Sequence, residues 1–247
     1  MNILIIGGSG GIGFALVEHF LLASETTMIH ATFCRHSHAL VSPKLVWHQL
    51  DVTSEQDIQT LAAAIPNIDI VINAVGFLHQ SQSQGQSQGP SQGQCMPEKS
   101  VSQFSPDFFH KNIQLNTTST LLLAKHFAQA LRSKKPTYFI ALSARIGSIE
   151  DNQLGGWISY RCSKAALNMA IKTISIEWQY KNPTCCVFSF HPGTTDTALS
   201  TPFQSKVPPH KLFPPHLVAQ KLVALMNTVT PSDTGKFFSF DGSEIPW

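Results

Sequence analysis

The sequence predicts an α/β fold in which one doubly wound parallel sheet of about seven strands is flanked by helices. Three observations carry that expectation. Short β-rich runs alternate with longer helical patterns along all 247 residues. Most of those runs are continuously apolar or β-branched, as strands covered on both faces are. The first run ends in a glycine cluster that opens an apolar helix, Ile6-Gly7-Gly8-Ser9-Gly10-Gly11-Ile12-Gly13 followed by FALVEHFLL. A strand, a glycine turn and a helix in that order give the sheet a Rossmann-type character.

Taken in order, the predicted strands cover residues 2–6, 28–34, 46–50, 68–73, 137–142, 185–190 and 236–240. The predicted helices cover 11–23, 55–64, 106–131, 157–180 and 215–226. Ser105-Pro106-Asp107 is a helix start with an N-cap residue, proline at the first helical position and an acid in the first turn. The alternation runs through the chain, so residues 1–247 read as one domain. His79 to Cys95 interrupts it with HQSQSQGQSQGPSQGQC, a tract with no apolar side chain to bury, and reads as a flexible surface loop. A lid over a ligand is the alternative, since the tract follows a strand end.

Hydrophobic residues make up 43% of the chain, enough for a sizeable core, and charged residues only 13%. No apolar run approaches the roughly 20 residues of a membrane span, and MNILIIGGSGG lacks the basic start and cleavage site of a signal peptide. Net charge is +2 with no Lys/Arg cluster, so neither nucleic acid nor a membrane is an expected partner. Cys34, Cys95, Cys162, Cys185 and Cys186 have no metal-ligand spacing and are odd in number. Reduced thiols in a cytoplasmic protein, with no metal, are the expectation.

The glycine turn has a physical purpose. Glycine lets the backbone come close to a pyrophosphate, and the helix N-terminus offers free N–H groups and a positive dipole end. Further along, Tyr160-Arg161-Cys162-Ser163-Lys164 places a phenol and an ammonium four residues apart on a predicted helix, hence on one face. A free phenol titrates near ~10, and a neighbouring cation lowers that value, which makes tyrosine usable as an acid or base. The second strand runs into Cys34-Arg35-His36 with no Asp or Glu to accept from ribose hydroxyls. Arg35 stands where a cation would meet a 2′-phosphate, which favours NADP(H) over NAD(H); His36 and His38 could assist.

These motifs resemble the short-chain dehydrogenase/reductase family, and the resemblance runs from Met1 to about Trp247 apart from the Gln-rich tract. The glycine spacing G-x-x-x-G-x-G is the family's. Ile6 stands where its members usually carry Thr. Ser-Ala-Arg-Ile-Gly-Ser-Ile, Gly-Gly-Trp-x-x-Tyr-Arg and the ending Asp-Gly-Ser-Glu-Ile-Pro-Trp look most like its C-factor and sniffer-like carbonyl reductase branch.

The resemblance implies a set of roles. Gly7, Ser9, Gly11, Ile12 and Gly13 would cradle the cofactor phosphates, with Asp51 on the adenine amino group and Val52 lining the base. Asn73 to Gly76 align with the family's Asn-Asn-Ala-Gly, whose backbone packs on the adenosine: Asn73 and Gly76 match, while Ala74 and Val75 depart from it. Pro192, Gly193, Thr195 and Thr197 match the segment that binds the nicotinamide carboxamide. Tyr160 and Lys164 would form the acid-base pair and also touch the cofactor, and Asn116 would support a proton-relay water. The family's substrate-polarising Ser aligns on Ala144; Ser143 is the candidate in its place, Ser148 the fallback, and no serine at all the third possibility. The function implied is hydride transfer between NADP(H) and a small carbonyl or alcohol. Its rival is an NADP(H)-binding signalling or regulatory protein with little turnover. A homodimer through the 106–131 and 157–180 helices fits many relatives, but the same apolar faces fit an ordinary core.

Overall fold

The computed structural model describes residues 1–80 and 96–247. The tract at 81–95 lies outside the described residues, and with it most of the expected loop.

In chain order the elements are β1 (Asn2–Ile6), α1 (Gly11–Leu22), β2 (Met28–Phe33), β3 (Leu45–Gln49), α2 (Glu55–Ala64) and β4 (Ile70–Asn73). There follow α3 (Pro106–Ile113), α4 (Ser119–Phe127), β5 (Thr137–Leu142), α5 (Ile158–Lys181) and β6 (Cys185–His191). The chain ends with the two-residue strands β7 (Thr194–Thr195) and β8 (Leu212–Phe213), then α6 (Pro215–Met226) and β9 (Phe237–Ser239). The seven long strands form one sheet in the order β3-β2-β1-β4-β5-β6-β9, every neighbouring pair parallel. This is the doubly wound sheet the sequence predicts, with strand ends moved by one or two residues.

The central strands β1, β4, β5 and β6 are buried almost throughout because helices cover both faces, while β2 and the edge strand β3 are only partly covered. Ile3 and Ile5 of β1 enter the layer with Leu16 and Phe20 of α1 and Leu222 of α6. Leu4 and Ile6 enter the opposite layer with Ile58 of α2, Phe127 of α4 and Leu167 and Ile171 of α5. Two starts are set by local chemistry: the Ser54 side chain accepts from Asp57 N, and the Ser105 side chain from Phe108 N with Pro106 behind it. Among the described residues no helix is long and apolar enough to cross a membrane.

The single helix expected over 106–131 is a correction. The structure has α3, then one π turn at Gln114–Thr118, then α4, with the last residues up to Leu131 in turns. The π turn carries buried Asn116 and Thr117. Such a turn adds a residue to one helical winding, which shifts the apolar phase without erasing it.

Candidate active site

The site lies at the carboxyl ends of the strands, where the chain turns one way from β1 to β2 and the other way to β4, the place where open α/β sheets bind ligands. Gly7 leaves β1 with φ +77°, and Gly10 N donates to Gly7 O at 3.0 Å to close the turn. A Cβ on Gly13 would lie 2.1 Å from Gly7 O, so only glycine lets α1 start this close to the strand. Ile6, in place of the usual Thr, is fully buried in the core. The anchor comes instead from β2: Thr32 Oγ1 accepts from Gly7 N at 2.9 Å, and Thr32 O accepts from Ser9 N at 3.3 Å. Sequence reasoning did not find Thr32, because only the β1–β2 register brings it to the turn.

Beyond β2, Arg35 is exposed. His38 stacks on Phe14 of α1 with ring centroids 3.6 Å apart, and its Nε2 lies 3.1 Å from Ser9 O. The histidine therefore fastens the loop after β2 onto the glycine turn. Asp51 Oδ1 accepts from Thr53 N and Thr53 Oγ1 at 2.9 and 2.7 Å, a local turn, while Val52 is buried in the core.

At the end of β4, Asn73 is held inside by Thr120 Oγ1 and accepts from Val75 N. Asn116 clamps the next residues: its Oδ1 accepts from Phe77 N at 2.7 Å, and its Nδ2 donates to Phe77 O and to Ser163 Oγ, both at 2.9 Å. The π turn aims this side chain across α5, fixing the segment Ala74-Val75-Gly76 against the residue next to Lys164.

Tyr160, Lys164 and Ser143 meet on one wall. Lys164 is 2% exposed, its Nζ donates to Leu142 O at 2.9 Å, and it lies 5.9 Å from the Tyr160 ring centroid. Gly147 makes this approach possible, since a Cβ there would meet the Lys164 backbone at 2.7 Å. Ser143 faces the same space, whereas Ser148 donates to Trp247 O and accepts from Asp151 N, away from it. Burial holds Tyr160 well above the ordinary phenol range and brings Lys164 down to about 7. The sequence argument expects Lys164 to lower the phenol; within the protein alone, desolvation is the larger effect and the phenol is kept protonated.

After β6, Pro192 lines the cleft, Gly193 has φ +72°, and β7 pairs with β8. Thr195 is buried, and Thr197 leans on the glycine turn so closely that a Cβ on Gly11 would lie 2.5 Å from its Cγ2. These walls enclose a solvent-open cleft of about 740 Å³ lined by Gly10–Gly13, Ala74, Gly76, Ser143, Tyr160, Lys164, Pro192 and Thr197. Arg35, Asp51, Asn73 and Asn116 are not part of that lining.

His191, just before Pro192, has a buried Nδ1 with no partner among the described residues. Burial foremost, then the Arg145 charge, pushes it down from 6.5 to about 4, while Asp241 opposes. The unfolded chain therefore binds more protons between those values, and stability falls as pH is lowered through that window, with no further loss from this group below it. At ~1.4 kcal/mol per unit, wild type should lose about 2–3 kcal/mol more than His191→Gln between pH 6.5 and 4. Urea midpoints at both pH values check this; equal losses would refute it.

The family model for short chain dehydrogenase matches residues 1–208. The chain belongs to this family. This short-chain dehydrogenase is similar to the C-signal of Myxococcus xanthus, 26% identical over 137 residues that cover 56% of this chain and 77% of that protein. Its fold is that of the carbonyl reductase Sniffer of D. melanogaster, with TM-score 0.80 at 19% identity, covering 100% of this chain and 99% of that one. It is also that of an NADPH-bound carbonyl reductase from chicken fatty liver, with TM-score 0.83 at 21% identity, covering 100% and 94%.

Around Tyr160 the structure adds Glu98 and His79, which sequence reasoning did not find. Glu98 is 3% exposed and receives Ser159 N at 3.2 Å and the Ser159 hydroxyl, so a carboxylate seats the N-terminus of α5 next to Tyr160. Trp157, at the start of that helix, packs on Phe203 with centroids 4.8 Å apart and lies 6.4 Å from the Tyr160 ring; His79 meets the other side of Phe203 at 5.6 Å. Glu98 and His79 reach this wall only through the fold.

Proposed function

We propose that this short-chain dehydrogenase, acting as one domain over residues 1–247, transfers hydride between NADP(H) and a small hydrophobic carbonyl or alcohol. The observation that carries the reading is that Tyr160, Lys164 and Ser143 share the wall of a cleft whose opposite wall is the glycine turn. The residues fit the cofactor. A Cβ on Gly13 would strike Gly7 O and one on Gly11 would strike Thr197, so only glycines let the turn close this tightly, and the start of α1 presents N–H groups to a pyrophosphate.

When bound, the dihydronicotinamide supplies the hydride. The chain's residues handle the oxygen. Tyr160, kept protonated by burial, donates its hydroxyl proton to the carbonyl oxygen as that oxygen gains charge, and in oxidation the phenolate takes the proton back. Ser143 hydrogen-bonds the same oxygen, and Lys164, near neutrality, returns a proton to the phenolate, with Asn116 holding the adjoining backbone. Trp157 and Phe203 exclude water and favour an apolar substituent on the carbonyl.

Arg35, exposed at the end of β2 with no acid beside it, supports NADP(H) over NAD(H). Titration of the purified protein with each cofactor should show tighter NADPH binding. Arg35→Ser should weaken NADPH by about 10–100-fold, the value of a charge-assisted contact, and leave NADH unchanged. Carbonyl-dependent NADPH consumption then tests the reaction itself. A protein that binds neither cofactor would refute the reading.

A further inference from the structure

Asn168 lies on α5 one turn beyond Lys164, so Tyr160, Lys164 and Asn168 follow one another along a single face. It is 3% exposed. Its Oδ1 accepts the Ser143 hydroxyl at 2.6 Å, while its Nδ2 is buried with no partner among the described residues. A buried amide N–H without an acceptor opposes folding, and an apolar side chain at this place would avoid that cost. The Ser189 hydroxyl, paired in register with Ala141 and so on the same side of the sheet as Ser143 and α5, is likewise buried and unpartnered.

We propose that Asn168 is a positioning residue that sets whether Ser143 donates or accepts. As observed, Ser143 gives its only proton to Oδ1 and offers lone pairs to the cleft, which suits the O–H of an alcohol. A half-turn of the amide brings Nδ2 onto Ser143 Oγ. Nδ2 then donates, and the serine proton is released toward a carbonyl oxygen. No bond is made or broken in the switch; one hydrogen bond reverses its direction. One serine thereby serves both directions of the reaction. The inference rests on the carbonyl/alcohol reading of the cleft.

The test uses the full chain with NADPH and a carbonyl compound that the wild type reduces. Asn168→Asp keeps the shape but, ionised, only accepts, so it pins the serine proton. It should lower kcat for reduction by about 10–100-fold, close to Ser143→Ala, and the double variant should lose little more. NADPH affinity should stay within about twofold. Because burial favours the protonated carboxyl, the N168D rate relative to S143A should recover as pH falls. Should N168D fail to fold, Asn168→Ala carries the test: its loss and that of S143A should again fail to multiply. Wild-type turnover in N168D, or losses that multiply in the double variant, would overturn the inference alone. A wild type that binds NADPH but consumes none with any carbonyl would overturn the reading of the site and the inference with it.

Discussion

Tyr160→Phe is expected to lower carbonyl-dependent NADPH consumption by about 10²–10⁴-fold, the range over which a positioned proton donor contributes. The ring's surroundings survive the change: Trp157 remains at its edge, Lys164 keeps its bond to Leu142 O, and Ser143 remains on the same wall. What is lost is that wall's phenol, which burial holds protonated well beyond neutral pH. Stability should change little, because the phenol oxygen makes no hydrogen bond among the described residues and opens onto the cleft rather than into the core. NADPH affinity should change by no more than a few-fold. Steady-state kinetics with a melting curve and a cofactor titration check all three expectations. Turnover within tenfold of wild type would remove Tyr160 from the chemistry.

Gly13→Ala acts at the other wall. The added methyl would lie 2.1 Å from Gly7 O and 3.1 Å from Gly8 Cα, both backbone atoms, so no side chain can move aside. Either α1 or the turn must shift, and the turn is held by Thr32 through two hydrogen bonds. Overpacking of this kind costs about 1–3 kcal/mol, which for a domain of this length lowers Tm by roughly 2–12 °C. The functional loss should be greater. Phosphate binding depends on N–H groups that must all point to one place, and a shift of about 1 Å at such a site costs on the order of 10²-fold. NADPH titration and differential scanning calorimetry report the two effects separately. An alanine variant with wild-type NADPH affinity would show that the turn does not hold the cofactor.

The parts of this protein legible in the sequence are those whose cause is local. β1 reads as a doubly covered strand because all of Ile3 to Ile6 must be apolar when helices lie on both faces. Tyr160 and Lys164 can be paired on paper, since helical spacing alone brings them to one side. Ser54 and Ser105 announce their helices through their own side chains. The π turn at Gln114–Thr118 was hidden, as one extra residue leaves the apolar pattern intelligible as a plain helix. The parts played by Thr32, Glu98 and Asn168, and the fastening onto the glycine turn of His38, which was expected only beside Arg35, were hidden for a different reason. Each is an ordinary residue in its own stretch of chain and acquires its part only where a distant strand or helix passes beside it. Asp51 shows the reverse case: its bonds to Thr53 are local and could be anticipated from the neighbouring residues.

Trp157 has φ +52°, and the two glycines before it are left-handed as well. A bulky residue pays about 1–2 kcal/mol to adopt that conformation, a burden glycine would not carry. The strain and the packing are tied together: a glycine there would relax the backbone but forfeit the ring contacts with Phe203 and Tyr160, and the loss of a large packed aromatic outweighs strain of this size. The left-handed turn is thus held in place by the very side chain that it disfavours.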